Sequence, residues 1–133
     1  MKYLLDTHVW IWSEESPERL GRHARHELAD VEQDRFVSTI STLEIARLID
    51  LGLVHLKHPL AEWRNRSMEN LDTLTMGLTH EIAAEAYNLP GKFHKDPIDR
   101  VLVATARIER LTLITADDLI LRYPHVKTLR ASV

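Results

Sequence analysis

Apolar runs that alternate with amphipathic helical patterns predict an α/β fold, an α/β/α sandwich built on a central, mainly parallel sheet. The first run, residues 3–5, is short and continuous, as in a strand that is buried on both faces. Similar runs follow at 36–40 and 111–115, with helical patterns between them. The 133 residues contain no linker and no repeat, so we expect a single domain over residues 1–133.

Helix start and stop signals place the helices between these strands. Ser16-Pro17 and Asp96-Pro97 are typical helix starts, and Gly52 and Pro90-Gly91 are typical helix ends. The pattern predicts helices over residues 7–13, 17–30, 42–51, 60–70, 80–89 and 97–106, with a weak strand at 74–78 and a short edge strand at 126–129.

Two tryptophans and a run of basic residues in the first two predicted helices each allow more than one interpretation. We interpret Trp10 and Trp12 as core or interface residues and not as platforms on which bases stack. Arginine and histidine side chains crowd residues 19–26 of the next helix. A solvated face is the default for such a run, and a contact surface for RNA or an acidic partner is the alternative.

The composition excludes several classes of function. The chain has no cysteine, so it forms neither disulfides nor thiolate metal sites. The net charge is −3, so any binding of nucleic acid would depend on local basic residues or metal ions. No apolar run approaches the roughly 18 residues of a membrane span, and the chain does not begin like a signal peptide. We expect a cytoplasmic protein without membrane contact.

Four acids are expected to face one edge of the sheet. Asp6, Glu44 and Asp117 follow the first, second and fourth predicted strands, and ligands in such folds bind at the carboxyl ends of strands. Asp99 shares the buried face of its helix with apolar residues. Each acid also has a simpler explanation, because aspartates cap helices and Ser41-x-x-Glu44 matches a capping box.

One shared cause, a cation bound among them, explains the four acids at one edge better than four separate helix caps do. Carboxylates that pack together repel one another, which destabilises a fold unless a cation lies among them. Oxygen ligands in a chain without cysteine indicate Mg²⁺ or Mn²⁺. The chemistry that such a site favours is metal-assisted attack of water on a phosphodiester.

Four motifs in order along the chain resemble those of PIN-domain ribonucleases, most closely the VapC-type toxins of bacterial toxin–antitoxin pairs. They are Leu5-Asp6-Thr7-His8, Ser38-x-x-Ser41-x-x-Glu44-Ile45, Asp96-Pro97-x-Asp99-Arg100 and Thr115-x-Asp117. The likeness covers essentially the whole chain, and the ordered set is specific where any single motif is weak. One position departs from the pattern, since many relatives carry an aromatic residue where this chain has Leu43.

The resemblance implies a PIN-like fold and an enzyme that cleaves RNA. It implies that Asp6, Glu44, Asp99 and Asp117 are the catalytic and metal-binding residues, with Asp96 as a supporting acid. It further implies Mg²⁺ or Mn²⁺ as cofactor, a homodimer, and inhibition by a small antitoxin protein. The role of Asp118 stays open.

Five further residues are candidates for contacts around the acids. The hydroxyls of Thr7 and Thr115 are candidates for positioning water, and packing at the strand ends is the alternative. The basic residues Lys92, Lys95 and Arg100 flank the acidic helix start and are candidates for binding substrate phosphates.

Other classes of function fit less well. A haloacid-dehalogenase-type phosphatase needs an aspartate two residues after the first one, where this chain has His8. Zinc hydrolysis is not indicated, because His80-Glu81 lacks the second histidine of the H-E-x-x-H motif. The alternative that remains is a PIN-like module that binds RNA or protein without turnover.

Overall fold

Five strands form the sheet, and every pair of neighbours is parallel. The computed structural model describes residues 1–133, with strands β1 (Lys2–Leu5), β2 (Asp34–Ser38), β3 (Thr73–Met76), β4 (Thr112–Thr115) and β5 (Thr128–Arg130). Their order across the sheet is β3-β2-β1-β4-β5, so β1 is central and β5 is an edge strand. The predicted α/β fold with its mainly parallel sheet is therefore confirmed.

Helices cover both faces of this sheet. They are α1 (Thr7–Glu15), α2 (Arg22–Ala29), α3 (Thr39–Asp50), α4 (Leu60–Leu71), α5 (His80–Glu85), α6 (Pro97–Glu109) and α7 (Asp118–Leu121), with a 3₁₀ turn at Pro17–Arg19. No helix is both long enough and apolar enough to cross a membrane.

The central strand divides the hydrophobic core in two. Successive side chains of a strand point to opposite faces, so Leu4 and Leu5 enter different halves of the core, and both are fully buried. Leu5 packs in the same cluster as Trp10, and Leu4 packs in the same cluster as Leu102. Burial on both faces explains why the strand reads as a continuous apolar run.

The prediction of one helix over residues 17–30 is wrong, because the segment is a 3₁₀ turn and a separate helix α2. The break falls at Gly21, whose N–H donates to the carbonyl oxygen of Ala131 at 2.7 Å. A Cβ atom at position 21 would lie 2.7 Å from the carbonyl oxygen of Ser132. The chain therefore needs glycine where its C-terminal segment crosses, and this contact interrupts the helix.

The start of α3 also differs from the prediction. Ser38 is the N-cap, and its hydroxyl oxygen accepts a hydrogen bond from the N–H of Ile40 at 3.1 Å. Ser41 is buried within the helix, where its hydroxyl oxygen accepts a hydrogen bond from the hydroxyl of Thr7 at 2.9 Å. The capping box between Ser41 and Glu44 therefore does not exist.

The sheet brings the ends of distant segments together. In the parallel register Leu5 is opposite Ile114, and Leu4 is opposite Phe36. The carboxyl ends of β1, β2 and β4 consequently lie along one edge of the sheet. In open α/β sheets this edge is where ligands bind.

Candidate active site

Asp6 lies directly after β1 and is almost completely buried, with 7% of its surface exposed. One carboxylate oxygen accepts a hydrogen bond from the N–H of Thr7, and the other accepts one from the hydroxyl of Thr115, each at 2.7 Å. Burial raises the pKa of Asp6, the hydrogen bonds from Thr115 and Thr7 oppose that rise, and the nearby Glu44 adds to it. Asp6 is thus both the N-cap of α1 and a buried acid in need of a cation.

Glu44 reaches the same place from α3, one and a half turns after the helix begins. Its side chain has no hydrogen bond or ion pair within the chain. Since Ser38 and not Ser41 caps the helix, the capping explanation for this glutamate is removed. The contact between Thr7 and Ser41 instead ties α3 to the start of α1 and sets the distance between Glu44 and Asp6.

Asp96 and Asp99 come from the first turn of α6. Asp96 is the predicted N-cap, and its carboxylate accepts hydrogen bonds from the N–H groups of Ile98 at 2.8 Å and Asp99 at 3.2 Å. Asp99 points inward, with 15% of its side chain exposed. Burial, together with the charges of Asp6, Asp96 and Asp117, raises the pKa of Asp99 to about 7, against the lowering effect of the hydrogen bond with His94.

Asp117 follows β4 and caps the short helix α7, where its carboxylate accepts a hydrogen bond from the N–H of Leu119 at 2.8 Å. Its own N–H donates to the hydroxyl oxygen of Thr115 at 3.0 Å. Thr115 therefore holds Asp6 and Asp117 in one arrangement. Asp118 does not join them, because it is exposed and lies 3.5 Å from Arg130.

The acids line one cleft of about 280 Å³. Its lining residues are Asp6, His8, Trp12, Glu44, Asp96, Asp99, Ala116 and Asp117. No lysine or arginine is among them, although several carboxylates are, and the charges of Asp6, Asp96 and Asp117 add to the burial that raises the pKa of Asp99. A set of carboxylate oxygens without sulfur suits a hard divalent cation such as Mg²⁺ or Mn²⁺.

His94 is a site residue that the sequence reasoning did not identify. Its Nε2 lies 2.6 Å from Oδ2 of Asp99, and one ligand atom from each of His94, Asp99 and Asp117 lies within 4.8 Å of the other two. The ring is stacked against Phe93, with 4.1 Å between the ring centroids. The only local signal was its position two residues before Asp96-Pro97, at the approach to the acidic helix start.

The two threonines hold protein groups together and do not face open space. Both are fully buried, and their hydroxyl hydrogens are donated to Ser41 by Thr7 and to Asp6 by Thr115. Each hydroxyl positions a neighbouring segment of the site, and the positioning of water by Thr7 and Thr115 stays a prediction.

Arg100 is likewise occupied within the chain. Its guanidinium donates to the carbonyl oxygens of Ala86 and Phe93, each at 3.0 Å, and lies over the ring of Tyr87. Two of its N–H groups thus secure the loop that carries His94, and binding of substrate phosphate by Arg100 stays a prediction. Lys92 and Lys95 are exposed at the end of that loop and make no ion pair.

The two tryptophans, interpreted as core or interface residues, differ in burial, and Trp12 packs against the core from its edge. Trp10 is buried, 1% exposed, and donates from its indole N–H to the hydroxyl of Ser67 at 2.9 Å. Trp12 is partly exposed and lines the acidic cleft beside His8, one helical turn earlier. Residues 8 and 12 follow Asp6 on one face of α1, and this spacing was the sequence signal for them.

Comparison with known proteins places the chain in a family. The model of the PIN domain matches residues 3–126. The chain is 34% identical to Ribonuclease VapC22 of Mycobacterium tuberculosis over 114 residues, which cover 86% of this chain and 85% of that protein.

Solved structures with low sequence identity share the fold. VapBC2 from Rickettsia felis, bound to a DNA fragment of its promoter, matches with a TM-score of 0.71 and 16% identity over 99% of this chain and all of that one. DNA-bound VapBC from Salmonella typhimurium matches with a TM-score of 0.68 and 15% identity over 97% of each chain. The chain therefore belongs to the PIN-domain family, among its VapC-type members.

Proposed function

We propose that this protein is an Mg²⁺- or Mn²⁺-dependent endoribonuclease and the toxin of a toxin–antitoxin pair. The observation that carries the proposal is the cleft in which Asp6, Glu44, Asp99 and Asp117, from four separate segments, meet without a lysine or an arginine. The 34% identity to a VapC ribonuclease supports RNA as the substrate. Since RNA is the substrate, we propose that the protein acts in the cytoplasm.

The residues of the cleft fit a divalent cation. Burial first, and neighbouring acids second, raise the pKa values of Asp6 and Asp99, so a cation would stabilise their charged forms. We propose that Asp6, Glu44, Asp99 and Asp117 hold the ion, with Asp96 nearby. When bound, such an ion polarises a phosphate oxygen and lowers the pKa of an attacking water.

The chain contributes positioning to this reaction. Thr115 orients one oxygen of Asp6 and the backbone of Asp117, and His94 orients one oxygen of Asp99. Carboxylates that are held by such hydrogen bonds lose less conformational freedom when they bind a metal ion. We propose that the exposed Lys92 and Lys95 add weak, non-specific attraction for the RNA backbone.

We also propose that a small antitoxin binds the groove between α3 and α4. Structural neighbours of this chain are toxin–antitoxin complexes, which supports a partner of this kind. The groove has a volume of about 570 Å³ and is lined by Leu43, Ala46 and Met68 among others, with Leu43 60% exposed. Exposed apolar surface of this kind is typical of protein interfaces. A homodimer is part of the same proposal, and sedimentation of the purified protein tests it.

A nuclease assay with single-stranded and structured RNA tests the catalytic proposal. Cleavage should require Mg²⁺ or Mn²⁺ and, as the resemblance to PIN-domain ribonucleases implies, leave a 5′-phosphate and a 3′-hydroxyl. Activity that survives exhaustive chelation would contradict the metal mechanism. Products with a 2′,3′-cyclic phosphate would show that the ribose 2′-hydroxyl is the nucleophile, and metal binding without cleavage would favour an idle binding module.

A further inference from the structure

Arg19 is held beside the acidic cleft by stacking on an aromatic ring. Its guanidinium carbon lies 4.6 Å from the ring centroid of Trp12, and Trp12 lines the cleft. Arg19 ends the 3₁₀ turn Pro17–Arg19, which packs against α1. The stacking contact therefore favours a position of the charge at the rim of the cleft.

The donors of this guanidinium have no partner within the chain. Arg19 makes no hydrogen bond and no ion pair, and its side chain is exposed. Arg35, Arg100 and Arg107, by contrast, donate to backbone carbonyl oxygens. The guanidinium presents a planar fork of N–H groups that have no acceptor within the chain. Such a fork suits a phosphate, which it can bind through two parallel hydrogen bonds.

The charge of the cleft decides which ligand fits. An acidic peptide that reached Arg19 would also meet the carboxylates of Asp6, Glu44 and Asp99 and would be repelled by them. A nucleic-acid strand avoids this conflict, because one phosphate can bind a metal ion in the cleft while a neighbouring phosphate reaches the arginine. Single-stranded RNA also offers bases that stack on guanidinium planes and on aromatic rings.

We propose that Arg19, with Trp12 as its support, is the residue that binds the RNA strand next to the cleavage site. The inference rests on the proposed function, because it takes RNA as the substrate. It assigns to Arg19 a contact with phosphate like the one that the sequence suggested for Arg100, two of whose N–H groups donate to backbone carbonyl oxygens. Trp12 acts as a positioning residue that keeps the guanidinium at the rim of the cleft.

The test is the salt dependence of RNA binding, measured in a Glu44→Gln background with Mn²⁺ so that the RNA stays intact. Arg19→Gln should weaken binding of a single-stranded oligonucleotide on the order of 10-fold at low salt. It should also make the plot of log affinity against log salt less steep by about 0.7, the value for one phosphate contact on a single strand. Arg19→Lys should restore the slope but not the full affinity, since lysine lacks the planar fork.

Arg22→Gln is the matched control. Arg22 is an exposed arginine at the start of α2, makes no ion pair and does not stack on an aromatic ring. The substitution removes the same charge a few residues away, so it should change affinity and slope much less than Arg19→Gln. Trp12→Leu keeps the arginine and the apolar packing, and it should lower affinity several-fold while the slope stays near that of the background protein.

Tryptophan fluorescence gives a second readout. Trp10 and Trp63 are each 1% exposed, so a change in fluorescence on adding RNA reports mainly on Trp12. We expect RNA to shift this signal in the Arg22→Gln variant and to shift it far less in Arg19→Gln.

Equal effects of Arg19→Gln and Arg22→Gln would overturn the inference while leaving the proposed function intact. Tight binding of an acidic peptide at Arg19, with RNA unaffected by the substitution, would overturn it as well. Absence of RNA binding in the background protein, together with absence of RNA cleavage by the wild type in Mn²⁺, would refute both the inference and the proposed function.

Discussion

The two ends of the sheet differ in the partners that the chain supplies to a buried charge. Near the amino end, Arg35 of β2 is 5% exposed, and its guanidinium donates to the carbonyl oxygens of Leu71 at 2.7 Å and Asp30 at 2.8 Å. The carboxylate of Asp72 adds an ion pair at 3.6 Å. The chain thus supplies this cation with two backbone acceptors and a carboxylate of opposite charge, as a buried structural charge requires.

At the carboxyl end, Asp6 is buried to a similar degree but has neutral hydrogen-bond donors as partners and other acids as neighbours. Burial raises the pKa values of Asp6 and Asp99, the neighbouring acids add to the rise, and no lysine or arginine lines the cleft to oppose it. The difference teaches that a buried charge that the chain compensates serves the fold, whereas one left uncompensated indicates a ligand of opposite charge.

Removing an acid should have the largest effect on function and little effect on the fold. Glu44→Gln and Asp99→Asn should each lower RNA cleavage at least about 100-fold and weaken metal binding, because a hard cation needs the charged oxygen. Without metal, neither variant should unfold more easily than the wild type, and Asp99→Asn should be more stable above neutral pH because repulsion is relieved.

Asp96→Asn is the control for those variants, since asparagine caps a helix as well as aspartate does. It should cost less activity than Glu44→Gln or Asp99→Asn. Turnover is measured together with the melting temperature, with and without Mn²⁺. Wild-type activity in Glu44→Gln would show that this glutamate is not part of the site.

Removing Arg35, the buried charge that the chain compensates, should destabilise the fold and have little effect on metal binding. Arg35→Met leaves the carbonyl oxygens of Leu71 and Asp30 without their donor, and we expect the free energy of unfolding to fall by about 3 kcal/mol. Metal affinity should stay near the wild-type value while the protein is folded. Asp72→Asn is the control: the carboxylate is 95% exposed, so urea denaturation should show almost no change.

The pH dependence of stability should separate the two ends of the sheet. Asp99 has an ordinary pKa of 3.8 when unfolded and a pKa of about 7 when folded, so between these values the folded protein binds the extra proton. Its contribution to stability is fully present below pH 3.8 and is lost as the pH rises through about 7. In the presence of a chelator, the free energy of unfolding should therefore fall as the pH rises from 3.8 to about 7. This group should account for roughly 1–2 kcal/mol of the fall, after allowance for solvent screening.

Urea denaturation across this range in wild type and Asp99→Asn measures the effect, which the substitution should flatten. Adding Mn²⁺ should reverse the trend, because the ion binds the deprotonated carboxylate and stabilises the protein more as the pH rises. Identical pH profiles for wild type and Asp99→Asn would argue against a raised pKa at this residue.

The smallest expected effect comes from the hydroxyl that links two of the acids. Thr115→Val removes the hydrogen bond to Asp6 and the acceptor for the N–H of Asp117, and it should weaken metal binding by about 10- to 100-fold. Thr105→Val is the control, because that buried hydroxyl donates to the carbonyl oxygen of Val101, within its own helix. Calorimetric titration with Mn²⁺ should show a loss of affinity in the first variant and not in the second.

The sequence alone determined the order of elements, the parallel sheet and the acids at its carboxyl edge. These features depend on local patterns: an apolar run predicts a buried strand, an N-cap predicts a helix start, and an acid after a strand lies at the sheet edge. Asp6, Asp99 and Asp117 were found in this way, and Glu44 was found although its capping box proved wrong.

Only the tertiary structure decided which side chains keep hydrogen-bond donors without a partner in the chain. Arg100 and Arg19 are equivalent in the sequence as basic residues, yet one is bonded to two backbone carbonyl groups and the other is held unpaired over Trp12. His94 and the break at Gly21 depend in the same way on contacts with Asp99 and with the C-terminal segment. Such contacts join atoms that the fold brings together, and periodicity along the chain carries no information about them.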